Sequence, residues 1–119
     1  MRYVDGFLLA VPKKNLKAYK TMSTKAGKVW MEHGALQYVE TVGDDLKITM
    51  CGSFLDVVKL KKGETVVFSF IVYKSRAHRD SVNKKVMTDP RLAKMMKMKK
   101  MPFDPSRMSY GGFTTLVDM

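Results

Sequence analysis

With 119 residues, 45% of them hydrophobic and 28% charged, the chain has room for one hydrophobic core, little for a second, and a composition far from that of disordered segments. Its formal charge of +11 steers phosphates, nucleic acid or acidic partners toward it without defining a site for them. The lone cysteine, Cys51, excludes an internal disulfide and a cysteine-based zinc cluster, and no apolar run is long enough to span a membrane.

One domain covering residues 1–119 is therefore expected. The N-terminal MRYVDGFLLAVPKK has neither the apolar length nor the small-residue cleavage site of a secretory signal. With the single thiol, this points to a cytoplasmic protein without a membrane partner.

Residues 3–11, YVDGFLLAV, are apolar, aromatic and branched, are closed by Pro12 and two lysines, and predict a buried strand. From Asn15 onward, Leu16, Tyr19, Ser23, Ala26, Trp30 and His33 recur at spacings of three and four, which places them on one face of a helix that Gly34 closes. Ala35 to Val42 predict a second strand, ended by the Gly43-Asp44-Asp45 turn. Between Leu46 and Lys62 two conformations stay open: Lys47 to Met50 can extend a hairpin, and Phe54, Leu55, Val57, Val58 and Leu60 fit a helical turn or a strand. Glu64 to Tyr73, ETVVFSFIVY, is the clearest strand, since nearly every residue is β-branched or aromatic. Ser75 caps a helix running to Thr88, Asp89-Pro90 breaks it, and Arg91 to Lys100 give a second helical piece. Two prolines make residues 101–105 irregular, and Met108 to Val117 supply the last strand, where Gly111-Gly112 permits a bulge or close packing.

Strand, helix, strand, strand, helix, strand is the ferredoxin-like α+β plan, an antiparallel βαββαβ sheet with both helices on one face. The other face should then show polar alternation if it meets water. It does not. Val66, Phe68, Phe70 and Val72 form one apolar face of the third strand, yet Val67, Ile71 and Tyr73 lie on the opposite one; the first strand sets Phe7, Leu9 and Val11 against Val4, Leu8 and Ala10. A second copy of the chain, sheet against sheet, is the economical cover, and a homodimer is expected.

The segments YVDGF at 3–7, GALQYVE at 34–40, GDD at 43–45, ETVVFSFIVY at 64–73, SRAHRDSVNKKVMTDPR at 75–91, MPFDPSRM at 101–108 and GGF at 111–113 together resemble the YbaA-like family, also called domain of unknown function 1428. The resemblance runs over almost the whole chain in the same motif order, and Leu46 to Met50 match least well. It implies membership of the dimeric α/β-barrel superfamily and no established activity. That superfamily contains cofactor-free monooxygenases, haem-degrading enzymes and stress proteins, all using a cavity between the sheet and its helices or loops, and this is an analogy of fold alone. Some family members carry a name connecting them with signal-recognition-particle RNA, but no RNA-binding motif in this sequence carries that over.

A polar group on a strand is the right kind of candidate beside such a cavity, because a rigid element holds it there; Asp5, Tyr38 and Glu40 qualify. Asp5 interrupts an apolar strand and must reach solvent or find a donor, by pairing with a nearby arginine or capping a backbone. Arg76, Arg79, Asn83 and Lys84 share one side of the second helix, where they form either a clamp for an anion or a solvated face. A small-molecule pocket lined by Asp5, Tyr38, Glu40, Arg79 and Asn83 is the first functional expectation, whether the protein is an enzyme or a binder. The second is a noncatalytic interaction protein whose basic segment, ten basic residues against Asp80 and Asp89 between Lys74 and Lys100, binds RNA or an acidic partner. That segment has no aromatic residue on which bases could stack, so any nucleic-acid binding is expected to be nonspecific and salt-sensitive. A purely structural role is the third reading. Two histidines, His33 and His78, have no supporting motif, and neither a metal nor a cofactor is expected. His33 reads as a satisfied imidazole at a helix end, and His78 as exposed. In KMMKMKKM, residues 94–101, the methionines suit core or dimer packing, or else a soft lid.

Overall fold

A computed structural model describes all 119 residues. The elements are β1 (Tyr3–Pro12), α1 (Leu16–Glu32), β2 (Gln37–Val42), α2 (Phe54–Val58), β3 (Glu64–Tyr73), α3 (Arg76–Met87), α4 (Pro90–Met96) and β4 (Ser109–Thr114), with single 3-10 turns at Lys13–Asn15 and Pro105–Arg107. The four strands are antiparallel in the order β2-β3-β1-β4, which is the ferredoxin-like arrangement. No helix is long and apolar enough to cross a membrane.

Local chemistry sets the boundaries. Gly34, at φ +112, turns the chain out of α1 in the left-handed region open to glycine. Ser75 starts α3 by accepting the His78 amide at 3.1 Å, and Asp89 starts α4 by accepting the Arg91 amide at 2.9 Å. Pro90 occupies the first position of α4, where its missing N–H costs nothing. One helical stretch is thereby split into two.

Register then allots the faces, since side chains alternate along a strand. Toward α1, α3 and α4 point the cross-strand rows Val42-Val67-Leu9, Glu40-Ser69-Phe7-Tyr110, Tyr38-Ile71-Asp5-Gly112 and Tyr73-Tyr3-Thr114. These rows meet Val29 of α1, Val82 and Val86 of α3 and Leu92 of α4 in the core. Away from the helices point Ala10-Val66, Ser109-Leu8-Phe68-Thr41, Gly111-Gly6-Phe70-Val39 and Phe113-Val4-Val72-Gln37. The charged residue of this side is Glu64, opposite Pro12 at the end of the ladder, where Arg107 pairs with it. Gly111 and Gly112 serve close packing, because the β1/β4 ladder runs without a bulge from Tyr3↔Thr114 to Leu8↔Ser109. The Phe113 ring lies over Gly6 on the outer face, and Tyr3 lies against Gly112 on the inner.

The segment left open by the sequence resolves as a helical turn. Lys47 to Met50 do not extend the β2 hairpin, because Ser53 donates to the Leu46 carbonyl at 2.7 Å and closes the loop on itself. Ser53 also caps α2 by accepting the Leu55 amide, and Lys59, at φ 54, ends it. Leu46 and Phe54 then sit beside Val66 and Phe68 on the outer face, so one end of that face is covered from within the chain. The rest stays open in a single copy, with Phe68 46% and Phe113 62% exposed.

Two ion pairs tie the periphery. Arg107 grips Glu64 through Nη1–Oε2 at 2.5 Å and Nη2–Oε1 at 2.9 Å, while Asp89 holds Arg91 at 3.0 Å and His33 at 2.8 Å. The Arg107 guanidinium holds the Glu64 carboxyl down to about 2, and Arg91 with His33 holds Asp89 low as well. A carboxyl whose pKa is depressed in the folded state contributes stability above its ordinary pKa and loses it as pH falls through the folded value. We therefore expect urea midpoints to drop between about pH 4.5 and about pH 2, and Glu64→Gln to flatten that drop when the two proteins are titrated side by side.

Candidate functional site

The five residues singled out from the sequence separate into two groups. Asp5, Arg79 and Asn83 gather where β1, β4 and α3 meet. Asp5 is 1% exposed and accepts from Arg79 Nη1 at 2.8 Å. The same nitrogen donates to the Tyr110 hydroxyl at 2.8 Å, and the guanidinium lies 4.9 Å from the centre of the Tyr3 ring. Arg79 Nε stands 2.8 Å from Asp80 Oδ1. Asn83 Oδ1 accepts from Trp30 Nε1 at 3.1 Å and from the Tyr73 hydroxyl at 3.2 Å. Burial raises the pKa of Asp5, and Arg79 opposes that rise. The Asp5 carboxylate and Arg79 Nη1 are paired within the cluster, which makes the buried ion pair tolerable, while the buried Nε faces Asp80 without a well-directed hydrogen bond. Arg76 and Lys84 are exposed, so the four polar residues of that helix side do not form an anion clamp.

Tyr38 and Glu40 form the second group, on the edge strand β2 beneath α1. Gly27 lets α1 come this close, since a β-carbon there would meet the Tyr38 ring at 2.8 Å. Ser23, on the buried side of α1, donates to Glu40 Oε2 and lies 3.0 Å from the Tyr38 hydroxyl. With the Ser23 proton directed at Glu40, Tyr38 is the donor of that second bond. Burial chiefly, and Glu40 in addition, push the Tyr38 phenol up to about 12, against an opposing effect of Ser23. Tyr19 approaches the same carboxylate from α1, and burial and Glu40 together raise its pKa. Glu40 Oε1 is buried and has no hydrogen-bond partner. Sequence reasoning missed Ser23 and Tyr19 as site residues because both sat within the apolar stripe of α1. The available signal was a hydroxyl at a core-facing helix position, which must find a partner.

These four residues line two cavities. One, of about 620 Å³, opens between α1 and β2 and includes Lys20, Thr24, Lys28 and Thr41. The other, of about 390 Å³, lies between the sheet and α1 and α4. Its floor is Phe7, Leu9, Ser69 and Ile71, its roof Met22, Ala26 and Trp30, and its side Met87, Met95, Met96, Met101, Phe103 and Met108. Ser69 is the small residue in its row, between Glu40 and Phe7, and leaves the depression that larger side chains would fill. The methionines of residues 94–101 divide their work: Met95 packs on the core, Met96 and Met101 line the cavity, and the intervening lysines are exposed. Asn15 donates to the Pro102 carbonyl at 3.1 Å and Phe103 packs edge-on to Tyr19 at 5.6 Å, which anchors the far end of this wall.

The histidines stand elsewhere. His33 Nε2 pairs with Asp89 at 2.8 Å, the satisfied helix-end imidazole expected. His78 is half-buried rather than exposed, because its Nδ1 accepts the Lys74 amide at 2.9 Å and its ring packs edge-on to Tyr73. Cys51 is exposed in the β2–β3 connection. No three His, Cys, Asp or Glu side chains gather as a metal ion would require.

Comparison with known proteins adds the lineage. A family model described as "Protein of unknown function (DUF1428)" matches residues 2–105. Uncharacterized protein YbaA of Escherichia coli strain K12 is 43% identical over 118 residues, 99% of either chain, and the Shigella flexneri protein of that name is equally similar. Among solved structures, Rv0793 from Mycobacterium tuberculosis superposes with a TM-score of 0.57 at 13% identity, over 99% of this chain and 98% of that one. SnoaB, a cofactor-independent oxygenase from Streptomyces nogalater, does so with a TM-score of 0.50 at 9% identity, over 99% and 96%. At such identities the structural likeness shows the fold alone. The family match over residues 2–105 and the full-length likeness to YbaA carry the stronger statement: this chain belongs to the DUF1428, or YbaA-like, family.

Proposed function

We propose that the protein holds a small organic ligand in the inner cavity, with Tyr38 and Glu40 at its polar end, and that it works as a homodimer. The observation that carries the first half is an apolar space of about 390 Å³ on which a few polar side chains, Ser23, Tyr38 and Glu40, converge. Ligand sites commonly have this make-up, a mainly apolar wall with a few convergent polar groups. Asp5, Arg79 and Asn83 belong to the framework that fixes β1 against α3 beside the cavity. In the enzymatic form of the same reading, Glu40, Ser23 and Tyr38 are the groups able to accept and pass a proton.

Fluorescence titration with N-phenyl-1-naphthylamine tests the proposal. Saturable binding of about one probe per chain is expected, and Ser69→Phe, which fills the floor of the cavity, is expected to weaken it at least about tenfold while the circular dichroism spectrum is kept. Equal binding to the wild type and the filled variant would remove the cavity as the site.

The homodimer rests on the outer face. Leu8, Phe68, Phe70 and Phe113 share it with Ser109, Thr41 and Gln37, and the charged ladder residue of that side, Glu64 at its end, is held by Arg107, in a chain carrying +11. Two molecules of equal charge can approach only through neutral surface, and an acidic partner would find no cation there. A second copy is thus the fitting occupant.

A second reading has its own support. Of the ten basic residues between Lys74 and Lys100, only Arg79 is turned inward, and the other nine are exposed. Retention on RNA across a salt series is the check, and absence of retention at low salt ends that reading.

A further inference from the structure

The charge inside the cavity defines the ligand more closely, an inference that rests on the cavity being a ligand site. Glu40 is the single charged residue lining the inner cavity, although the chain holds 22 lysines and arginines. No cation of the chain pairs with it: the ion pairs engage Asp5, Glu32, Glu64, Asp80, Asp89 and Asp118. Ser23 donates to Oε2 and the Tyr19 hydroxyl approaches the same carboxylate, so its neighbours within the chain are neutral donors. A carboxylate in an apolar enclosure with neutral donors alone carries an uncompensated charge, which a cation reaching it would offset. The surrounding wall is rich in aromatic faces, with Phe7, Tyr19, Trp30, Tyr38 and Phe103, and aromatic faces attract cations through the ring quadrupole. Trp30 and Tyr38 lie 6.2 Å apart next to the carboxylate. Methionines complete the enclosure with an adaptable apolar surface suited to a hydrocarbon or aryl body.

We propose that the inner cavity selects a hydrophobic amine in its protonated form, its ammonium group pairing with the Glu40 carboxylate and its apolar body lying against Trp30 and the methionine wall. An anionic ligand is disfavoured by the same geometry, because it would bring a second negative charge into the apolar space beside Glu40.

The test is a matched series bearing one naphthyl body: 2-(2-naphthyl)ethylamine, 2-(2-naphthyl)ethanol, 2-ethylnaphthalene and 2-naphthylacetate, titrated calorimetrically near neutral pH against the wild type and Glu40→Gln. The amine is expected to bind about tenfold or more tightly than the alcohol and the hydrocarbon, with the carboxylate weakest. In Glu40→Gln the amine should lose about tenfold to a hundredfold while the hydrocarbon is unchanged, which shows that the cavity itself is intact. Alcohol or hydrocarbon binding as well as the amine, or an amine affinity indifferent to Glu40→Gln, overturns the inference and leaves the ligand cavity standing. If none of the four binds, the cavity reading falls with it.

Discussion

Replacing Asp5 with alanine is expected to cost the fold about 3–5 kcal/mol. The cause is what remains rather than what is lost: the Arg79 side chain is 13% exposed, and without Asp5 its inward nitrogen keeps only the neutral hydroxyl of Tyr110. A guanidinium cannot shed its proton to escape, since its pKa is too high. Asp80 stays at Nε but is itself 62% exposed and therefore a weak, screened partner. A domain of this size has on the order of 5–15 kcal/mol in all, so the variant should lose about a fifth or more of its stability in urea unfolding. Asp5→Leu combined with Arg79→Met removes both charges and should recover most of that loss. A deficit of less than about 1 kcal/mol in Asp5→Ala would show that the pair does not hold β1 to α3. The pH dependence of this site runs opposite to that of Glu64. Burial raises the pKa of Asp5 in the folded state, so its protonation in acid favours the fold and partly offsets the losses at Glu64 and Asp89.

Phe68→Asp is expected to turn a dimer into a monomer. Phe68 lies beside Leu8 in the ladder and next to Phe70, with ring centroids 6.1 Å apart, near the middle of the open part of the outer face. Twofold symmetry presents every lesion twice, so two aromatic anchors vanish and two carboxylates enter one apolar contact. Association should weaken on the order of a thousandfold, from about 2 kcal/mol for each lost anchor. Because the residue is 46% exposed within one chain, the protomer itself should stay folded, and light scattering and circular dichroism together separate the two outcomes. A wild-type protein that scatters as one chain at micromolar concentration would remove the dimer.

Gly27, Ser23 and Ser69 explain why the cavity exists at all. Each is small at a position facing the sheet or the helices. The missing volume lets Tyr38 come under α1 and leaves space above β3. A chain selected only for stability would fill such space, since every buried methylene adds to the core. Retained emptiness beside a carboxylate that no cation of the chain pairs with is the mark of a site rather than of a frame.

By itself the sequence determined the order of the elements and most of their ends. Glu64 to Tyr73 were legible from β-branched and aromatic density, α3 from Ser75, the break at Asp89-Pro90 from proline, and the two greasy sides of β3 from their alternation. All of these signals act within a few residues, through backbone sterics and a single side-chain bond. Tertiary structure alone decided who meets whom. Asp5 finds Arg79 from 74 positions away, Glu40 finds Ser23 across the β2–α1 gap, and the five candidates fall into an ion-pair network and a carboxylate without a cationic partner. It likewise decided that residues 46–62 fold one helical turn over the outer face in place of a longer hairpin. Such pairings depend on register and on the packing of elements remote in the chain, and one strand shifted by a single residue would exchange every partner named.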